Sequence, residues 1–124
     1  AGVVVDGVVP AVTGVNLPGG GAGSFITGTT ITFEIIFGEA LTSYGTDSTL
    51  SLTFDSGNVS AIYSTYLAGT ITYSYTISGV IPDYDATAGI TVNGIVLGAV
   101  PIQDAAGNDA VLTLPGTVNT ITIN

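Results

Sequence analysis

The side chains of this chain able to do chemistry at neutral pH are nine carboxylates, with no charge of the opposite sign to meet them. Asp6, Glu34, Glu39, Asp47, Asp55, Asp83, Asp85, Asp104 and Asp109 give a net charge of −9, while Lys, Arg and His are absent. A donor set made only of oxygen selects a hard cation. Calcium accepts about six to eight oxygens in flexible geometry, Asn side chains and main-chain carbonyls included. Carboxylates gathered without a compensating cation repel by about 1 kcal/mol per pair even in water, so a cluster of them either holds an ion or stays open. Asp104-Ala105-Ala106-Gly107-Asn108-Asp109 supplies such groups within one loop, although it lacks the alternating Asp spacing and closing Glu of an EF-hand. Solvated turns are the alternative for every one of these acids. Asp47 and Asp55 are read as plain turn residues, and Glu34 as an exposed residue on the polar face of a strand.

The same composition removes other chemistries. With no His and no Cys there is no conventional general base, thiolate nucleophile or zinc ligand set. A carboxylate-pair hydrolase needs a cleft with groups such as Trp or Arg to grip its substrate, and neither is present. The expectation is therefore not an enzyme. Phosphate recognition rests on Lys and Arg, which argues against nucleic acid and against anionic membrane surfaces. No apolar run approaches the ~18 residues of a membrane span, and no signal-peptide pattern appears. A chain without a trypsin site suits a protease-rich setting, so an extracellular, secreted location is expected. Mean hydropathy is high at +0.65 with 7% charged residues, and surface not covered by charge tends to be covered by protein.

All the acids but Glu34 fall in or beside turns, so the elements between those turns must position them. Residues 29–37 form the clearest strand: Ile31, Phe33, Ile35 and Phe37 share one face, with Thr30, Thr32 and Glu34 on the other. Residues 50–54 follow, and Asp55-Ser56-Gly57-Asn58 reads as a hairpin. Residues 59–67 and 70–77 are joined through Ala68-Gly69, and Pro82-Asp83-Tyr84-Asp85 is an acidic turn. Residues 90–97 are broken by Asn93-Gly94, either a type I′ turn or a bulge. Extended segments at 100–102, 111–114 and 118–123 complete the chain. With no helical period and turn signals every ~8–12 residues, the pattern predicts an all-β, immunoglobulin-like antiparallel β-sandwich. Tyr63, Tyr66, Tyr73 and Tyr75 sit at strand positions where core and cross-strand packing is favoured over a carbohydrate-binding stripe. Asn58-Val59-Ser60 matches the N-glycosylation sequon, making Asn58 a candidate acceptor.

One strand stands apart from these. Ala1-Gly2-Val3-Val4-Val5-Asp6 carries a valine triplet with strong strand preference, and Gly7 and Pro10 break the run behind it. A terminal strand ahead of a joint is what β-strand addition requires: main-chain hydrogen bonds give affinity and alternate side chains give register. Folding back as an edge strand of its own domain is the other reading. The expected division is residues 1–10 as donor strand and joint, with residues 11–124 as the sandwich.

The order of motifs resembles the bacterial immunoglobulin-like repeats found in tandem in large surface adhesins and related secreted proteins. The matching pieces are Val5-Asp6-Gly7-Val8-Val9-Pro10-Ala11-Val12, residues 30–37 with Gly38-Glu39-Ala40, Asp83-Tyr84-Asp85 before Gly89-Ile90-Thr91-Val92, and residues 104–109 followed by a Leu/Thr strand. In such arrays a repeat ends in a strand like residues 2–6 and the next repeat opens directly after it. The resemblance implies that residues 1–6 are the closing strand of a neighbour, which a separate copy can use, while 118–123 takes the corresponding place at the other end. In a sandwich of this kind Asp6, Glu39, Asp83, Asp85, Asp104, Asn108 and Asp109 are placed to share the pole where domains meet. The resulting expectation is a subunit polymerising head to tail with other copies of itself, Val3, Val4 and Val5 inserted and calcium bracing the junction. The alternative is an adhesin-type binding module recognising a surface glycan or protein.

Overall fold

The computed structural model describes residues 9–54, 57–78, 89–116 and 119–123. Among these residues ten strands run in the order β1 (Val12–Asn16), β2 (Ser24–Phe25), β3 (Thr30–Phe37), β4 (Ser43–Tyr44), β5 (Thr49–Phe54), β6 (Gly57–Leu67), β7 (Thr70–Thr76), β8 (Thr91–Val96), β9 (Ile102–Gln103) and β10 (Thr122–Ile123). The fold is all-β and sandwich-like. A six-stranded antiparallel sheet in the order β1-β3-β7-β6-β5-β8 forms one layer. Within it β5, β6 and β7 are linked by hairpins and β8 returns to lie beside β5, which is the Greek-key arrangement.

Period-two alternation decides which face is buried. Along β3, Ile31, Phe33, Ile35 and Phe37 are buried while Thr30, Thr32 and Glu34 are exposed. Leu50, Leu52 and Phe54 of β5 and Ile71 and Tyr73 of β7 repeat the pattern. The register brings these side chains together: Phe33 lies opposite Tyr73, Ile35 opposite Ile71, and Leu52 between Val59 and Val92. Each fully buried aliphatic or aromatic side chain contributes about 1.5–3 kcal/mol relative to exposure. Tyr73 takes a hydroxyl into this core and satisfies it there, its Oη lying 2.6 Å from Ser48 Oγ. Because Ser48 Oγ donates its proton to the Gly45 carbonyl at 2.6 Å, the Tyr73 hydroxyl is the donor to Ser48.

The hairpins form where turn chemistry predicts them. Phe54 faces Gly57, and Leu67 faces Thr70 across Ala68-Gly69. Ala68 and Gly69 have φ of 49° and 85°, the pair of positive values that a two-residue type I′ turn needs. Asn93-Gly94 is a bulge. Ser51 pairs with Gly94 and Leu52 with Val92, leaving Asn93 as the extra residue. Its amide is put to use on the outer face, donating to Thr53 Oγ1 at 2.8 Å and Ser51 Oγ at 3.2 Å.

Without cations the outer face cannot carry ion pairs, and neutral groups take their place across strands. Thr30 and Thr76 hydroxyls meet at 2.9 Å, Asn16 Nδ2 donates to Glu34 Oε1 at 3.0 Å, and Thr53 Oγ1 donates to Asn58 Oδ1 at 2.9 Å. The tyrosines pack as expected. Tyr44 stacks on Tyr66 with centroids 4.4 Å apart and on Tyr63 at 6.3 Å, while Tyr75 meets Phe54 edge to face. Tyr66 also closes a turn, its Oη accepting the main-chain N–H of Leu41 and of Gly69.

The second layer is built differently. It consists of two separate two-stranded ladders, β4 antiparallel to β9 and β10 parallel to β2. Ile102 from the first with Leu41 just ahead of β4, and Ile123 from the second with Ile121 just ahead of β10, belong to the same core as the inward side chains of the large sheet. The segment expected as a strand at 111–114 forms no ladder among the described residues. Its one pairing is a parallel bridge between Val111 and Ala11.

Candidate assembly junction

Three stretches meet at one end of the sandwich. Ala11, just ahead of β1, accepts the N–H of Gly38 at 3.1 Å and bridges Val111, whose N–H donates to the Pro10 carbonyl at 2.8 Å. Beyond β3, Thr42 donates its N–H to the Gln103 carbonyl and its hydroxyl to the Asp104 carbonyl, at 2.9 and 2.8 Å. The arrival of the chain from residue 9, the turn holding Glu39, and the 104–109 loop are thus tied into one region. A groove there is lined by Val9, Ala11, Thr13, Gly38 and Glu39. Glu39 lines this groove, whereas none of residues 104–109 does; the loop is tied in through Thr42. Val3, Val4, Val5, Asp6, Asp83 and Asp85 lie outside the described residues.

Asp104 is 2% exposed and acts as the organiser of its own loop. Its Oδ1 accepts the N–H of Ala106 and of Asn108 at 3.0 and 2.9 Å, and its Oδ2 accepts Asn108 Nδ2 at 3.0 Å. Hydrogen bonds to an ionised acceptor are the strong ones, and here they fold a six-residue turn onto its first side chain. Asp109 Oδ1 accepts Gln103 Nε2 at 2.7 Å. The donor set does not make a calcium cage on its own: Asn108 presents its NH₂ to Asp104, and among the described residues no three acidic groups come close enough to hold a metal ion. Asn58 stands exposed at the start of β6.

Two polar clamps escape the sequence reading. Asp47, read as a plain turn residue, receives the N–H of Ala99 on Oδ2 at 2.6 Å and that of Val100 on Oδ1 at 3.1 Å. It fastens the β4–β5 turn to the β8–β9 connection. A methyl group added at Gly98 would fall 2.5 Å from Asp47 Cγ, so the fit requires glycine there. Asn119 does the same for the other side of the second layer. Its Oδ1 accepts Ile90 N–H at 2.9 Å and its Nδ2 donates to the Ile90 carbonyl at 2.7 Å, which makes the side chain a stand-in for a strand neighbour. Gly89, at φ 77°, passes so close that a Cβ would lie 2.4 Å from the Asn119 carbonyl oxygen.

The Val100 N–H, then the Ala99 N–H, hold the Asp47 carboxyl below its ordinary value of 3.8. A depressed folded value means that the clamp contributes above the unfolded pKa and is lost as pH falls through the folded one. Asp47→Ala should therefore lower the melting temperature near neutral pH, and the gap to the parent should close as the pH drops below that folded value. A gap that stays constant across an acid series followed by circular dichroism would show that the carboxylate charge has no part in the clamp.

Comparison of the chain with protein-family models, with curated proteins and with solved structures gives no match.

Proposed function

We propose that this protein is an extracellular structural subunit that assembles head to tail, each copy lending residues 1–6 to the fold of the next. The observation that carries this reading is the inequality of the two layers. Among the described residues a continuous six-stranded sheet is faced by two two-stranded ladders and two single bridges, and an added strand is the element that would make the second layer continuous. Surface composition supports it. Ile26, Ile62, Leu67, Val96, Leu97 and Val111 are exposed large apolar side chains, and no cation on the chain competes for contact with them. Packing between copies through neutral surface is what such a chemistry permits.

The test is removal of residues 1–6. The shortened chain should remain folded by circular dichroism and run as a monomer in sedimentation, while the full chain forms filaments visible by negative stain. Filaments of unchanged abundance from the shortened chain would overturn the proposal.

A junction calcium is a separate part of the same reading. Since the described carboxylates do not converge, such a site needs Asp6, Asp83 or Asp85 beside Glu39. Chelation should then lower the melting temperature of the assembled material, with recovery on adding calcium but not magnesium. A melting temperature indifferent to EDTA removes calcium and leaves donation standing.

A further inference from the structure

We infer that the acceptor for the donated strand is the main chain of residues 112–116, in the interval between the two ladders of the second layer. This rests on the assembly reading above and names the surface it uses. The segment has the form of a strand without a partner. Ala110, Leu112 and Leu114 are half-buried against the core while Val111 and Thr113 are exposed, the alternation of a strand seated on a sheet. Its first residues are held, Ala110 N–H to the Ile102 carbonyl and Val111 N–H to the Pro10 carbonyl. From Leu112 to Gly116, among the described residues, no main-chain hydrogen bond is made. Leu112, Thr113 and Leu114 offer both N–H and C=O, and Pro115 a C=O alone; main-chain groups left without partners are a template for another strand.

The occupant is the amino-terminal segment of a second copy. Direction excludes the simplest self-pairing: Ala11 and Val111 pair in parallel, so Pro10 and Val9 lead back alongside residue 110 and the acidic loop, away from 112–116. The three valines at 3–5 match the span and character of the leucine-bearing acceptor, and they carry no charge to bury when they insert. Main-chain pairing supplies the affinity, and the Leu112/Leu114 spacing sets which valines point inward.

The chain contains no cysteine, which permits a clean cross-linking test in the full-length protein. Single variants Val3→Cys, Val4→Cys and Val5→Cys are each mixed with Thr113→Cys under mild oxidation, with Thr13→Cys on the outer edge of β1 as the comparison. A disulfide-linked dimer with Thr113→Cys, and a ladder of oligomers from the Val4→Cys/Thr113→Cys double variant, is the expected result. Cross-links to Thr13→Cys instead would overturn the acceptor while leaving donation intact. A disulfide-closed monomer from the double variant would show residues 1–6 occupying their own domain, overturning both. Absence of either cross-link, with filaments that survive deletion of residues 1–6, would likewise overturn the assembly reading along with its acceptor.

Discussion

Replacing Phe33 by alanine should destabilise the fold by about 3–5 kcal/mol, the range for emptying an aromatic site in a packed core. Phe33 is fully buried on β3, with strands on both sides, and its cross-strand neighbour Tyr73 is also fully buried. The site has little means of collapse. Tyr73 is anchored through Ser48 to the turn at Gly45, so it cannot swing into the space without abandoning a buried hydrogen bond. Thr32→Ala, one residue away on the exposed face, is the control and should stay within about 0.5 kcal/mol. Urea unfolding of both variants measures the difference. A loss below about 1 kcal/mol at Phe33 would mean that the two layers are not packed as one core.

That contrast between adjacent residues is the part of the fold most legible in the sequence. Along β3, β5 and β7 a strict period of two meets one dry face and one wet face, so pattern alone assigns inside and outside. The hairpins were equally readable, because Ala68-Gly69 sits between two alternating runs and leaves the chain one way to turn. Asn93-Gly94 was ambiguous for a physical reason. A positive φ at Gly94 serves a bulge as well as a turn, and only the partner strand, with Ser51 opposite Gly94 and Leu52 opposite Val92, decides between them.

The second layer was harder to read because little of it is regular. Ladders two residues long carry no period, and the parallel pairing of β10 with β2 joins segments almost a hundred residues apart in the chain. Residues 111–114 show strand alternation but no ladder, so sequence pattern overstates their pairing. The clamps were missed because Asp47 and Asn119 work through side-chain hydrogen bonds to distant main chain, which leaves no local signature. A signal existed at Gly98 and Gly89: glycines at the margins of an apolar segment mark places where another group approaches the backbone closely.

For the candidate junction, the placing of residues 104–109 in a loop followed from their composition. The role of Asp104 did not. The sequence shows a carboxylate in an acidic loop, whereas its neighbours' N–H groups turn it into the loop's internal support. Such use of an acid, as acceptor for its own turn, is what a chain without Lys or Arg has available to stabilise a buried charge.

The same absence makes the alkaline side of the stability curve a test of the core. Above pH 8 the side chains that can lose a proton are the six tyrosines, since the chain has no Lys, Arg or Cys. Burial pushes the Tyr73 hydroxyl above its ordinary value of 10.0, a shift that the hydrogen bond with Ser48 partly offsets. Burial, and secondarily Tyr44, moves Tyr63 the same way. A raised folded value means that above pH 10 the unfolded chain releases protons that the native state retains. The stabilisation is fully present below the unfolded pKa and is lost as pH rises through the folded values. Each tyrosinate also adds negative charge to a molecule already at −9 with no cation to answer it. The melting temperature should therefore hold steady from neutral pH to about 10 and then fall. The tyrosinate absorbance contributed by Tyr73 should appear together with loss of the β-sheet signal. Tyr73→Phe should cost about 1 kcal/mol at neutral pH, the worth of one hydrogen bond, yet flatten the alkaline fall. If all tyrosines titrate near pH 10 while the sheet signal is intact, Tyr73 is not sealed in the core and the register of β3 against β7 is wrong.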